Sequence, residues 1–107
     1  MAEVVYIQQS DFDIQVLQSP LPVLIDFTAV WCGPCKMVDP IIKQLAAEWD
    51  GKARVVKCDA DQNPDLITQL GIMGIPTIML FKDGKMVERV TGYKPKDQLI
   101  AKFLPHI

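Results

Sequence analysis

The sequence predicts an α/β fold, with one central sheet that is parallel at first and closed by an antiparallel hairpin, and with helices packed against it. Three observations carry this reading. Strand-like apolar runs alternate along the chain with segments of helical spacing. The run Val23-Leu24-Ile25-Asp26-Phe27 is almost continuously apolar, as a strand covered on both faces has to be. Asp83-Gly84 stands between two short strand candidates as a hairpin turn signal.

The elements follow in order. Val4 to Ile7 reads as a short strand. Ser10 reads as the cap of a helix through Leu17 or Gln18, which must end before Pro20 and Pro22. Val23 to Phe27 is the first inner strand. After Cys35, the residues Val38, Ile41, Ile42, Leu45 and Trp49 recur at helical spacing and mark one buried face. Pro40 falls inside that helix and is expected to kink it, because it lacks an N–H and crowds the preceding turn. Asp50-Gly51 ends the helix. Ala53 to Asp59 is a second inner strand. Asn63-Pro64 opens a short helix through Leu70, and Gly71 closes it. Thr77 to Phe81 and Met86 to Val90 are the hairpin strands. Pro95 begins a last helix with Leu99, Ile100, Phe103 and Leu104 facing inward.

Composition limits the possible functions. A chain of 107 residues buries one core and hardly two, so residues 1–107 read as a single domain. The net charge is -2 and the lysines are scattered, which leaves no basic stripe for nucleic acid. No apolar run approaches the ~18 residues that span a membrane. Met1-Ala2-Glu3-Val4 has neither a basic nor an apolar leader region, so no secretory signal is expected. Three cysteines are too few and too odd a number for a disulfide-stapled scaffold, and a reducing cytoplasm is the expected setting.

The motif that carries chemistry is Trp31-Cys32-Gly33-Pro34-Cys35. Two cysteines three apart at the start of a helix can close a disulfide or open it to a dithiol. Cys32 is placed at the helix N-terminus, where unpaired N–H groups and the positive end of the dipole stabilise a thiolate and lower the thiol pKa. Cys35 lies a turn further in, placed to attack a mixed disulfide formed at Cys32. Cys32 is expected to be exposed, and Cys35 and Cys58 buried. Pro34 suits a first helical turn. The alternatives are half of a zinc site or two inert cysteines. A closed zinc site needs four ligands, and only Cys58 and His106 remain, unpaired and distant in sequence, so no metal is expected.

Three further features join the motif. Asp26 is an acid inside an apolar strand, and Lys57 is a base inside the next one. Gly74-Ile75-Pro76-Thr77 puts a proline at the mouth of a strand, where a cis bond is plausible. Together with Pro40, Asp59, Asp61, the Asp83-Gly84 turn and Gly92, these residues resemble the thioredoxin family over essentially the whole chain. The pentapeptide paired with Gly-Ile-Pro-Thr at this distance is highly specific.

The resemblance implies a thioredoxin fold, with a central five-stranded mixed sheet flanked by four helices. It implies a protein-disulfide reductase in which Cys32 attacks and Cys35 resolves. It also implies that Asp26, beneath them, serves Cys35 as proton acceptor and donor, with Lys57 nearby as its modulator. Pro76 is then cis and faces the cysteines. Trp31, Gly33, Pro34, Gly74, Ile75, Gly92 and Tyr93 form the surface that receives a partner. The implied partners are disulfide-containing proteins and a separate flavin- or ferredoxin-dependent thioredoxin reductase. The chain acts as a monomer with no cofactor beyond the Cys32–Cys35 disulfide. It carries no Gly-rich nucleotide loop, so hydride chemistry belongs to the reductase.

Other readings stay open on the residues alone. A structural ion pair between Asp26 and Lys57 is one. An oxidase or isomerase is another, and a non-catalytic binding module is a third; only a binding module would survive replacement of both cysteines by serine. Cys58 reads as a buried, inert thiol, and His106 has no assigned role. One departure from the family pattern is Thr28, where relatives usually carry a tryptophan beneath the active-site loop. Tyr93 is a candidate to fill that space.

Overall fold

The computed structural model describes residues 4–107. Five strands form its centre: β1 (Val5–Tyr6), β2 (Val23–Thr28), β3 (Arg54–Asp59), β4 (Thr77–Lys82) and β5 (Lys85–Thr91). They lie in the order β1-β3-β2-β4-β5. β3 is parallel to β1 and β2, and β4 is antiparallel to β2 and β5. The mixed sheet and its closing hairpin are as the sequence predicts.

An N-terminal helical segment and three α-helices surround the sheet: α1 (Gly33–Glu48), α2 (Pro64–Gln69) and α3 (Lys96–Phe103). The N-terminal segment differs from expectation. It is a 3₁₀ turn at Gln9–Asp11 followed by a π-helical stretch at Asp13–Leu17, not a regular helix capped by Ser10. Ser10 lies inside the first turn, and the Asp11 carboxylate accepts the Gln8 N–H at 3.0 Å to close that turn. Phe12 and Val16, four residues apart, both pack into the core on one face of the sheet. Leu104 also departs from expectation. The α-helix stops at Phe103, a 3₁₀ turn takes over at Leu104–His106, and Leu104 turns out to solvent.

Every residue of β2 is buried, and its side chains alternate between two cores. Val23, Ile25 and Phe27 point to one face with Val56, Cys58, Met79 and Phe81, beneath Phe12, Val16 and Leu66. Leu24 points to the other, with Val55, Ile78 and Leu80, beneath Val38, Ile42 and Leu45 of α1 and Leu99 and Phe103 of α3. Full burial of each such side chain contributes about 1.5–3 kcal/mol. The same period of two puts Asp26 and Thr28 on the Leu24 face, under α1. It puts Lys57 there as well, next in register to Asp26.

Helix α1 starts where the sequence says it should. Cys32 caps it in an extended conformation, and Pro34 occupies the first turn. The helix continues on both sides of Pro40, ends at Glu48, and gives way to Gly51 in the left-handed region at φ 82°. The trailing Trp49 is buried in the α1 core, as expected.

Candidate active site

The site forms at the C-terminal end of β2, where the chain leaves the sheet and enters α1. Cys32 and Cys35 are joined as a disulfide with a Cα–Cα distance of 5.3 Å. The Cys35 N–H also donates to Cys32 Sγ at 3.2 Å. A sulfur at the cap of a sixteen-residue helix therefore already faces a backbone donor, and a thiolate there gains from the same donor and from the dipole. The expected exposure of Cys32 is corrected: it is only 2% exposed in the disulfide state. Its sulfur is bonded to Cys35, and Ala29 and Ile75 pack on the pair.

The Ile75–Pro76 peptide is cis, Pro76 is buried, and Ile75 packs against the cluster of Ala29, Cys32 and Cys35. Gly33 and Pro34 lie exposed in the first turn of α1. Trp31 is 66% exposed and donates its indole N–H to Asp61 Oδ2 at 2.6 Å. Trp31, Asp61, Ile67, Met73, Gly74 and Ile75 line a groove of about 480 Å³, with Met73 99% exposed on its rim. Gly92 takes the left-handed conformation at φ 88°, and its N–H donates to the Pro76 carbonyl at 2.7 Å, joining the end of β5 to the proline loop. Tyr93 is partly exposed beside it and does not line the groove.

Asp26 is fully buried, and neither carboxylate oxygen has a hydrogen-bond partner among the described residues. Burial pushes its pKa up to about 7, against the opposing pull of Lys57 and with a smaller push from Asp39. Lys57 is beside Asp26 in register, but its ammonium donates elsewhere, to Asp39 Oδ1 at 2.7 Å. Asp39 is a participant the sequence reading missed. The available signal was its position four residues after Cys35, hence on the same face of α1.

Thr28 is buried beside a cavity of about 250 Å³ lined by Tyr6, Val30, Cys35, Asp39 and Asp59 among others. Tyr93 is not in this wall; the aromatic ring that lines the cavity is Tyr6, brought there by β1 at the edge of the sheet. Cys58 is buried on the opposite face of the sheet, so it does not meet Cys32 and Cys35 as a zinc ligand. Among the described residues, no cluster of three or more His, Cys, Asp or Glu could hold a metal ion, and no helix is long and apolar enough to cross a membrane.

Comparison with known proteins decides the family. The family described as Thioredoxin matches residues 3–104. The chain belongs to the thioredoxin family. It is 43% identical to thioredoxin 1 of Nostoc sp. over 107 residues, the full length of both chains. It is 43% identical to thioredoxin of Haemophilus influenzae over the same full length. It is 45% identical to thioredoxin of Synechocystis sp. over 95 residues, 89% of each chain.

Thioredoxins are thiol–disulfide oxidoreductases, and the redox pair of this one is Cys32–Cys35. The protein is a protein-disulfide reductase, a family role that implies disulfide-bearing targets and a reductase partner.

Proposed function

We propose that Cys32 is the attacking thiol of this reductase, Cys35 the resolving thiol, and Asp26 the proton acceptor of the resolving step. The Cys32 thiolate attacks one sulfur of a target disulfide. A Cys32–target bond forms, the target S–S bond breaks, and the second target sulfur leaves as a thiolate that takes a proton from water. Cys35 then gives its proton to the Asp26 carboxylate and attacks Cys32 Sγ. The Cys32–Cys35 bond forms, and the first target sulfur leaves as a thiolate. The target has gained two electrons, and the protein holds the disulfide. A separate flavin- or ferredoxin-dependent reductase returns two electrons to it.

The observation that most supports this reading is the Asp26 carboxyl, buried on the α1 face of β2 without a hydrogen-bond partner among the described residues and pushed to about 7. An acid with that pKa exchanges protons in both directions near neutrality. Lys57 modulates it. Trp31, Gly33, Pro34, Gly74, Ile75 and cis-Pro76 form the receiving surface, with Gly92 and Tyr93 at its edge. The working unit is a monomer of one domain, cytoplasmic, with no cofactor beyond its own disulfide and no nucleic acid or membrane partner. Reduction of insulin disulfides tests the chemistry, first with an external dithiol and then with a pyridine-nucleotide-linked reductase. The roles are tested by trapping: Cys35→Ser accumulates mixed disulfides on non-reducing gels and Cys32→Ser does not. Equal trapping by both would overturn the assignment.

A further inference from the structure

We propose that Asp39 is a positioning residue of the resolving step: by holding the Lys57 ammonium against α1, it sets how much positive charge reaches the buried Asp26 carboxyl. This rests on the reading of Asp26 as proton acceptor.

Three titratable groups share one side of the sheet. Asp26 and Lys57 are register neighbours on the same face of β2 and β3. Asp39 reaches down from α1, one turn beyond Cys35, and accepts from Lys57 Nζ at 2.7 Å. The Lys57 side chain is 12% exposed and that of Asp39 is 42% exposed, so the pair spans from the buried centre to solvent. Lys57 thus has one carboxyl beside it in the sheet and donates to the other, on α1. Neither oxygen of Asp26 accepts a hydrogen bond from any described residue. A lysine released from Asp39 is free to turn toward the buried carboxyl beside it in register, where a charge-assisted hydrogen bond would be strong.

The other groups around Asp26 leave this balance to Lys57 and Asp39. From β3, Cys58 points to the opposite face, and Asp59 lies at the strand end beside Thr28. From α1 come Cys32 and Cys35, and Lys36 lies on the wall of the Thr28 cavity. From β1, the Tyr6 ring lies 5.7 Å from Lys57 Nζ and adds to the hold on that ammonium. From β4, the neighbour of Asp26 is Ile78, which is uncharged. Lys57 lowers the Asp26 pKa and Asp39 raises it. Removing the Asp39 charge therefore acts twice in one direction. It ends a repulsion, and it releases the ammonium toward Asp26.

The test uses the full chain with Asp39→Asn, Asp39→Ala and Asp39→Glu. Carboxyl-carbon NMR of the oxidised protein follows the Asp26 titration. Stopped-flow mixing of a preformed Cys32 mixed disulfide follows the resolving step against pH. In Asp39→Asn and Asp39→Ala, the Asp26 midpoint should fall by about 1 pH unit, and the acidic limb of the resolving rate should move down with it. Asp39→Glu, which keeps the charge, should restore both to within about 0.3 unit of the parent. An unmoved midpoint in folded Asp39→Asn and Asp39→Ala overturns the proposal alone, provided Asp26→Asn still abolishes the acidic limb. A midpoint that moves while the limb stays fixed, and survives Asp26→Asn, overturns the proposal together with the role of Asp26.

Discussion

Asp26 on β2 and Cys58 on β3 are both fully buried, and they point to opposite faces of one sheet. Desolvation is the largest influence on each. It raises the acid from 3.8 to about 7, and it raises the thiol from 9.0 to about 11 with help from the Asp59 charge. The same physical effect brings one group into the working range of pH and takes the other out of it. Burial therefore puts a carboxyl where it can exchange a proton near neutrality and takes a thiol out of that range. The surroundings complete the contrast. Asp26 lies on the α1 face with Lys57 beside it, whereas Cys58 is packed among Phe27, Val56 and Met79.

Mutating the thiols on the two faces should break the symmetry most sharply. Cys35→Ser should lower multiple-turnover insulin reduction by about a hundredfold or more, because no thiol remains to resolve the mixed disulfide. Cys58→Ala should leave turnover within about twofold and cost about 1 kcal/mol in a denaturant melt, through the small cavity it leaves. Loss of turnover in folded Cys58→Ala would contradict the reading of that thiol as inert.

Asp26→Asn sharpens the comparison through stability. Between about pH 4 and pH 7, the folded protein keeps a proton on Asp26 that the unfolded chain has already released. Stability therefore falls as pH rises through that window, by an amount on the order of 4 kcal/mol, and the whole penalty is present above it. Asparagine removes the titration. Urea melts should find the variant more stable than the parent by roughly 2–4 kcal/mol at pH 8, and within about 1 kcal/mol of it at pH 4. A variant destabilised at pH 8 would instead mark Asp26 as half of a structural ion pair with Lys57.

The smallest effect is expected at Thr28. Thr28→Trp fills a cavity of about 250 Å³ whose wall includes Cys35, and it replaces none of the reacting groups. Insulin reduction should stay within about tenfold of the parent, a ceiling of ~1.4 kcal/mol on the barrier. Insoluble protein would show that Tyr6 and Asp59 close the site to an indole ring.

Much of this site was legible because its signals are local. The redox pair, the cap and Pro34 lie within five residues, and the helix geometry follows from their spacing. Asp26 and Lys57 were legible as polar breaks in apolar strands, and a side-chain period of two brings them to one face. Asp39 was not legible as a partner, because its contact depends on how α1 lies across β3. For the same reason Tyr93 was the wrong neighbour for Thr28. Tyr93 follows Gly92 at the proline loop, and the ring that lines the Thr28 cavity arrives with β1, which the strand order puts next to β3. The N-terminal helix was misread in form because Ser10 is a good cap by type, whereas the Gln8–Asp11 turn and the docking of Phe12 and Val16 decide its geometry.

The central claim is that a buried carboxyl moves the proton of Cys35. Its most direct test is the pH dependence of the resolving step, followed by stopped flow from a preformed Cys32 mixed disulfide in the parent and in Asp26→Asn. The parent rate should fall on the acid side with a midpoint near the Asp26 pKa of about 7, and the variant should be slower and lack that limb. The same limb at the same midpoint in both proteins would contradict it.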